Sequence, residues 1–157
     1  MNIFVYLLFG HIVGDFFLQP KSMAVKKGAS NWVAFNHVFI YTTAVLLFTN
    51  YFLPDRHPLE YIAWYLIVFI PHFLIDRFSL ADKWLNFING RSLEDFLENG
   101  HKDIPIESYG AFDNSHKISN YHILRGGFTT IVYVMVDNTS HLMCLWFGFK
   151  LLTHLFQ

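Results

Sequence analysis

The sequence is poor in the groups that hold small secreted or metal-cluster proteins together. One cysteine, Cys144, is present among 157 residues, which excludes an intramolecular disulfide and a thiolate-rich metal cluster. Charge is scarce as well: 15% of residues are Asp, Glu, Lys or Arg, against about 25% in ordinary soluble domains. The net charge of −1 gives no basic field for nucleic acid, which is excluded as a partner. No repeat of solenoid length and no low-complexity tract occurs. A cleavable signal peptide is not expected either. Asn2-Ile3 lacks a charged leader and Gln19-Pro20-Lys21 lacks a small-residue cleavage site.

What the chain has instead is apolar surface. Hydrophobic residues make up 54% and aromatics 19%, with 18 Phe, 8 Tyr and 4 Trp. A soluble domain of this size would leave a large apolar patch in water, which monomers rarely tolerate. The apolar residues fall into runs: about 3–19, 32–53, 60–77 and 127–150. Each is near the length of a membrane-spanning helix. The expected fold is all-α, one membrane domain over residues 1–157, with four transmembrane helices. Pro71 predicts a kink in the third run. Beyond it, Phe78, Ala81, Leu85 and Ile88 recur at helical spacing, as in a helix lying at the membrane surface. The hydrophilic stretch 89–121 reads as a cytoplasmic loop, with Ser92 to Asp95 able to cap a short helix.

Lysine and arginine set the orientation. If the link after the first run faces the cytoplasm, Lys21, Lys26, Lys27, Arg77, Lys83, Arg91, Lys102, Lys117 and Arg125 share that side. Arg56 and Lys150 remain for the other. The positive-inside rule then puts both termini outside a bacterial inner membrane.

Against this background the ionisable groups inside the runs stand out. The first and third runs read His-x-x-x-Asp, as His11/Asp15 and His72/Asp76. The fourth runs the opposite way and reads Asp-x-x-x-His, as Asp137/His141. Each carboxylate is thus expected nearer the cytoplasm, with its imidazole one turn deeper. His37 enters the same layer, roughly 8 Å into the second run at helical rise. Gly10 and Gly14 form a small-xxx-small pair that would let another helix come close.

The candidate ligand set is His11, Asp15, His37, His72, Asp76, Asp137 and His141, suited to one or two divalent ions such as Zn, Mn or Fe. Such a site activates water and polarises a carbonyl or phosphoryl oxygen. Asp15, Asp76 and Asp137 are the candidate catalytic carboxylates, one of them as general base. Gln19, Asn36 and Asn138 are candidates to orient ligands or substrate. The leading expectation is a metal-dependent hydrolase of a lipid or other membrane-accessible ester or phosphoester. The alternatives are a proton or metal-ion conduit or transporter, and a structural or regulatory membrane protein whose His/Asp pairs are interhelical hydrogen bonds. The bilayer is the expected partner, and a homo-oligomer remains open.

Four stretches carry a resemblance: Leu7 to Lys27 (LLFGHIVGDFFLQPKSMAVKK), His37 to Tyr41 (HVFIY), Pro71 to Trp84 (PHFLIDRFSLADKW) and Val136 to Met143 (VDNTSHLM). In this order they resemble the bacterial and phage membrane proteins grouped as domain of unknown function 3307. The resemblance implies a small integral membrane protein built around His11, Asp15, His37, His72, Asp76, Asp137 and His141. It implies no activity. A looser architectural similarity is to membrane-bound metal-dependent hydrolases, which also place His and Asp on membrane helices.

Overall fold

The computed structural model describes residues 2–53, 57–90 and 114–156, with side chains described outside Asn89 and residues 114–126. Among the described residues the chain is helical and has no strand. It divides into two compact units, Met1–Leu80 with Asn138–Gln157, and Ala81–Asp137. The predicted short helix after Ser92 and the charged side chains Arg56, Arg91, Lys102, Lys117 and Arg125 lie outside these descriptions.

In the first unit, α1 (Ile3–Ile12) starts where the Asn2 side chain accepts from the Phe4 N–H at 3.1 Å, relieving one of the four donors a helix start leaves orphaned. The helix then widens into a π turn over Val13–Phe17. This differs from the regular helix expected through Leu18. A π turn inserts one residue into the helical repeat and re-aims the side chains that follow, a device that recurs at functional sites. Asp15 is on that turn. Pro20 cannot continue the helix and instead opens α2 (Lys21–Lys26).

Ser30 caps α3 (Asn31–Thr49), which runs into a 3-10 turn over Asn50–Phe52. Pro58 sits in the first turn of α4 (Pro58–Arg77), where its missing N–H costs nothing. The helix continues through Pro71 to Arg77. It ends at Ser79, whose φ of 49° is left-handed, a conformation that stops helices and turns the chain.

Two of these segments, Asn31–Phe52 and Pro58–Arg77, are long and apolar enough to cross a membrane, and Ile3–Phe17 is a shorter apolar helix. α1 and α3 pack through glycine. A Cβ on Gly10 would stand 2.9 Å from Val45 Cα, and one on Gly14 would stand 3.0 Å from Tyr41 Cα. The small-xxx-small pair therefore meets a helix backbone on both turns, as expected. The apolar core joins Leu7, Tyr41, Val45, Leu53, Trp64, Val68, Leu145, Phe149 and Leu152. Trp64 Nε1 donates to Thr49 Oγ1 at 3.0 Å, and Thr49 Oγ1 donates to the Val45 carbonyl at 2.8 Å. The indole is thus buried without an orphaned N–H.

The second unit takes in most of α5 (Leu80–Asn89) and the earlier part of α6 (Asn114–Leu155). α5 exposes Trp84, Phe87 and Ile88. α6 is continuous through Asp137 to His141 and begins at Asn114, earlier than the expected start near Arg125. No Pro or Gly stands between Asn114 and Arg125 to break it.

Candidate functional site: a buried cluster of histidine and aspartate

The site lies in the first unit, where side chains from α1, its π turn, α3, α4 and the last part of α6 meet. His11, Asp15, His37, His72, Asp76 and His141 are all buried. Four of them, Asp15, His37, His72 and Asp76, each offer a ligand atom, and these atoms all lie within 4.8 Å of one another. His37 Nε2 is 3.3 Å from Asp15 Oδ1 and 3.0 Å from Asp76 Oδ2. It is also 3.1 Å from His72 Nε2. His72 Nε2 in turn is 3.1 Å from Asp76 Oδ2.

This crowding exceeds what hydrogen bonds can satisfy. A single imidazole nitrogen carries either one proton or one lone pair, so His37 Nε2 can serve one of these neighbours and not all. Two imidazole nitrogens and two carboxylates aimed at one point make a ligand set of the size and hardness a divalent cation takes. The rings of His72 and His37 also have neighbours outside the set. Tyr41 stacks on His72, with ring centroids 3.6 Å apart at 27°, and His141 lies 4.1 Å away on the other contact. The Gln19 amide is 3.1 Å from the His37 ring nitrogens. Turned over, that amide accepts from Nδ1–H and leaves the Nε2 lone pair free for a ligand role.

His11 stands differently from the other histidines. The Tyr41 hydroxyl is 3.1 Å from its Nδ1, and Asn138 Oδ1 is 2.8 Å from its Nε2. With the Asn138 amide oxygen toward the ring, Nε2–H donates to it and Nδ1 accepts from the Tyr41 hydroxyl. In this arrangement His11 orients its neighbours. His141 Nε2 is 3.6 Å from Asp76 Oδ1, at the edge of the quartet. Asn36 is half-buried on α3, one residue before His37. Asp137 belongs to the second unit, four residues before His141 on α6, and is half-buried.

Two residues escaped the sequence reading. Lys27 Nζ is 3.0 Å from Asp76 Oδ1 and 3.7 Å from Asp15 Oδ1. It had counted only as one of several cytoplasmic-side charges, and nothing in its spacing marks it. Tyr41 touches both His11 and His72, and its position one helical turn after His37 was the available signal. Arg77 fixes the link that carries Lys27: its Nη1 donates to the Gly28 carbonyl at 2.6 Å and its Nε donates to the Asn31 side chain.

A helical protein with two candidate membrane spans and a buried His/Asp cluster is thereby defined. The chain belongs to the family described as protein of unknown function, DUF3307, whose profile matches residues 3–98. The matched part contains the whole quartet of Asp15, His37, His72 and Asp76, while His141 falls beyond it. Neither the curated proteins nor the solved structures contain a match to the chain.

Proposed function

We propose that the protein is a four-span inner-membrane protein whose His/Asp cluster binds a divalent metal near the cytoplasmic face and hydrolyses a lipid or other membrane-accessible phosphoester or ester. The observation that carries this reading is the convergence of two imidazoles and two carboxylates within 4.8 Å. Bound there, a divalent ion would supply an activated water and polarise the scissile group. Asp15, Asp76, His37 and His72 would hold it. His141 is close enough to join them, and where only one of the two carboxylates ligates the ion, the other would serve as general base.

The membrane part of the reading rests on exposed apolar surface. Only 22% of the most apolar stretch of α4 is buried, whereas the core helix of a soluble protein is mostly covered. Phe9, Phe17, Trp32, Leu47, Ile62 and Phe147 are each more than half exposed, a distribution that suits lipid. A groove of about 570 Å³ between Ile67 and Ile70 of α4 and Cys144 and Phe147 of α6 is lined almost wholly by apolar atoms. It gives a bilayer-borne substrate a surface next to His72, whose neighbouring cavity shares Ile67 and Cys144.

Two other readings use the same residues. A proton or ion conduit needs a polar path to both sides, and the packed core of Leu7, Val45, Trp64, Phe149 and Leu152 opposes it. A helix-holding role is favoured by the Lys27 ion pairs, which already offset carboxylate charge. Purified protein loaded with Zn, Mn or Fe(II) should hydrolyse synthetic phosphodiesters or carboxylic esters, and Asp76→Asn should reduce the rate at least 100-fold, on the scale of losing a metal-activated nucleophile. Metal-loaded protein inert toward every ester in such a panel would leave the helix-holding role standing.

A further inference from the structure

We infer that the groove between the start of α3 and the end of α4 holds an anionic phospholipid, with its phosphate on Arg77 and an acyl chain along Trp32, Phe35 and Phe73. This site shares no residue with the His/Asp cluster and rests only on the membrane part of the reading above. The groove measures about 530 Å³ and is lined by Asn31, Trp32, Phe35, Phe73, Arg77 and Phe78, a size within the ~300–1,000 Å³ common to ligand sites. A run of touching rings crosses from α3 to α4. Trp32 stacks on Phe35 with centroids 6.0 Å apart at 9°, Phe35 meets Phe69 edge-on at 5.5 Å, and Phe69 stacks on Phe73 at 6.2 Å. Trp32 is nevertheless 71% exposed, as the rings of a bilayer interface are.

Arg77 is the one charged residue lining this groove. Its Nη1 donates to the Gly28 carbonyl at 2.6 Å and its Nε donates to the Asn31 side chain. A guanidinium carries five N–H donors, so both on Nη2 and one on Nη1 are left without a protein acceptor among the described residues. The two acceptors it does have are neutral. No carboxylate among the described residues pairs with it, since Asp76, its neighbour in sequence, is engaged by Lys27, His37 and His72. The Phe78 ring lies 5.8 Å from its Cζ. A planar guanidinium held at an apolar edge matches the oxygens of a phosphate as a fork, and basic positions between helices on the cytoplasmic side collect anionic headgroups. The groove at Ile67 and Cys144 provides the contrast. It is of similar volume, about 570 Å³, but no charged residue lines it, so it has nothing with which to select a headgroup.

Asn31→Asp gives the sharpest test. It keeps the shape of the side chain and its bond to Arg77, and it supplies the negative charge that the lipid phosphate otherwise brings. An acidic residue also suits the first turn of a helix, so the variant should keep the helical circular dichroism of wild type. Protein in nanodiscs of equal phosphatidylglycerol and phosphatidylcholine, released into native mass spectrometry, reads which lipid each chain carries. Wild type should carry about one phosphatidylglycerol, favoured about fivefold over phosphatidylcholine, the share of one basic residue at an anionic surface. Asn31→Asp and Arg77→Gln should bring the ratio close to one. Arg77→Lys, which keeps the charge and loses the fork, should retain part of the preference.

Equal retention of the two lipids by wild type, or a preference that survives Asn31→Asp, would overturn the site. Loss of the phosphatidylglycerol to millimolar inorganic phosphate would assign Arg77 to a soluble anion and overturn the lipid as occupant. A wild-type chain that alkaline carbonate washes from membranes would remove the membrane reading and this site with it. A chain that stays in the membrane without the lipid preference would strike the site alone.

Discussion

At the scale of single residues, the site depends on how closely α1 can approach α3. Gly14 lies where any side chain would collide with Tyr41: a Cβ there would stand 2.8 Å from Tyr41 Cδ2 and 3.0 Å from Tyr41 Cα. One of those atoms is backbone and cannot rotate away. The next residue is Asp15, and Tyr41 itself stacks on His72. Gly14→Val should therefore cost about 1–3 kcal/mol, the usual penalty of overpacking, seen as a lower thermal midpoint in detergent. The same substitution displaces Asp15 from His37, so metal affinity should fall with stability. A Gly14→Val variant with unchanged midpoint would mean that the two helices do not approach as described.

At the scale of elements, the helices were legible in the sequence because long apolar runs bounded by Pro, Ser and Asn leave few other structures open. α3 and α4 fall on the expected second and third runs. The π turn at Val13–Phe17 was not legible, since His-x-x-x-Asp spacing reads as an ordinary helical turn until packing fixes the hydrogen bonds. Pro71 predicts a kink, and α4 runs on through it to Arg77, the neighbours packed on α4 outweighing the loss of one backbone hydrogen bond. The pairing of α1 with α3 was foreshadowed by Gly10 and Gly14. That Lys27 would turn inward was not, because an isolated lysine in a polar link carries no periodicity. It becomes visible only through Arg77, which anchors the link from 50 residues further along the chain.

At the scale of the whole molecule, charge placement and the buried cluster make one account. In the proposed orientation the link at Lys21–Asn31 is cytoplasmic, and Lys27 of that link meets Asp15 and Asp76 of the quartet. A Cys144→Ser background leaves no other cysteine, so single cysteines at Ala29 and at Phe156 can be labelled in intact cells. A membrane-impermeant maleimide should react at position 156 and spare position 29 until the membrane is opened. The reverse pattern would invert the proposed topology. The cluster has its own test, which depends on no substrate and no orientation. Wild-type protein, stripped of metal and dialysed against Zn, Mn or Fe(II), should retain about one ion per chain, as expected of one converging His/Asp ligand set with a position left for water. Asp15→Asn combined with Asp76→Asn should retain none while keeping the helical circular dichroism of wild type. A wild-type chain that holds no divalent ion under these conditions, or a double variant that holds as much, would contradict the metal site.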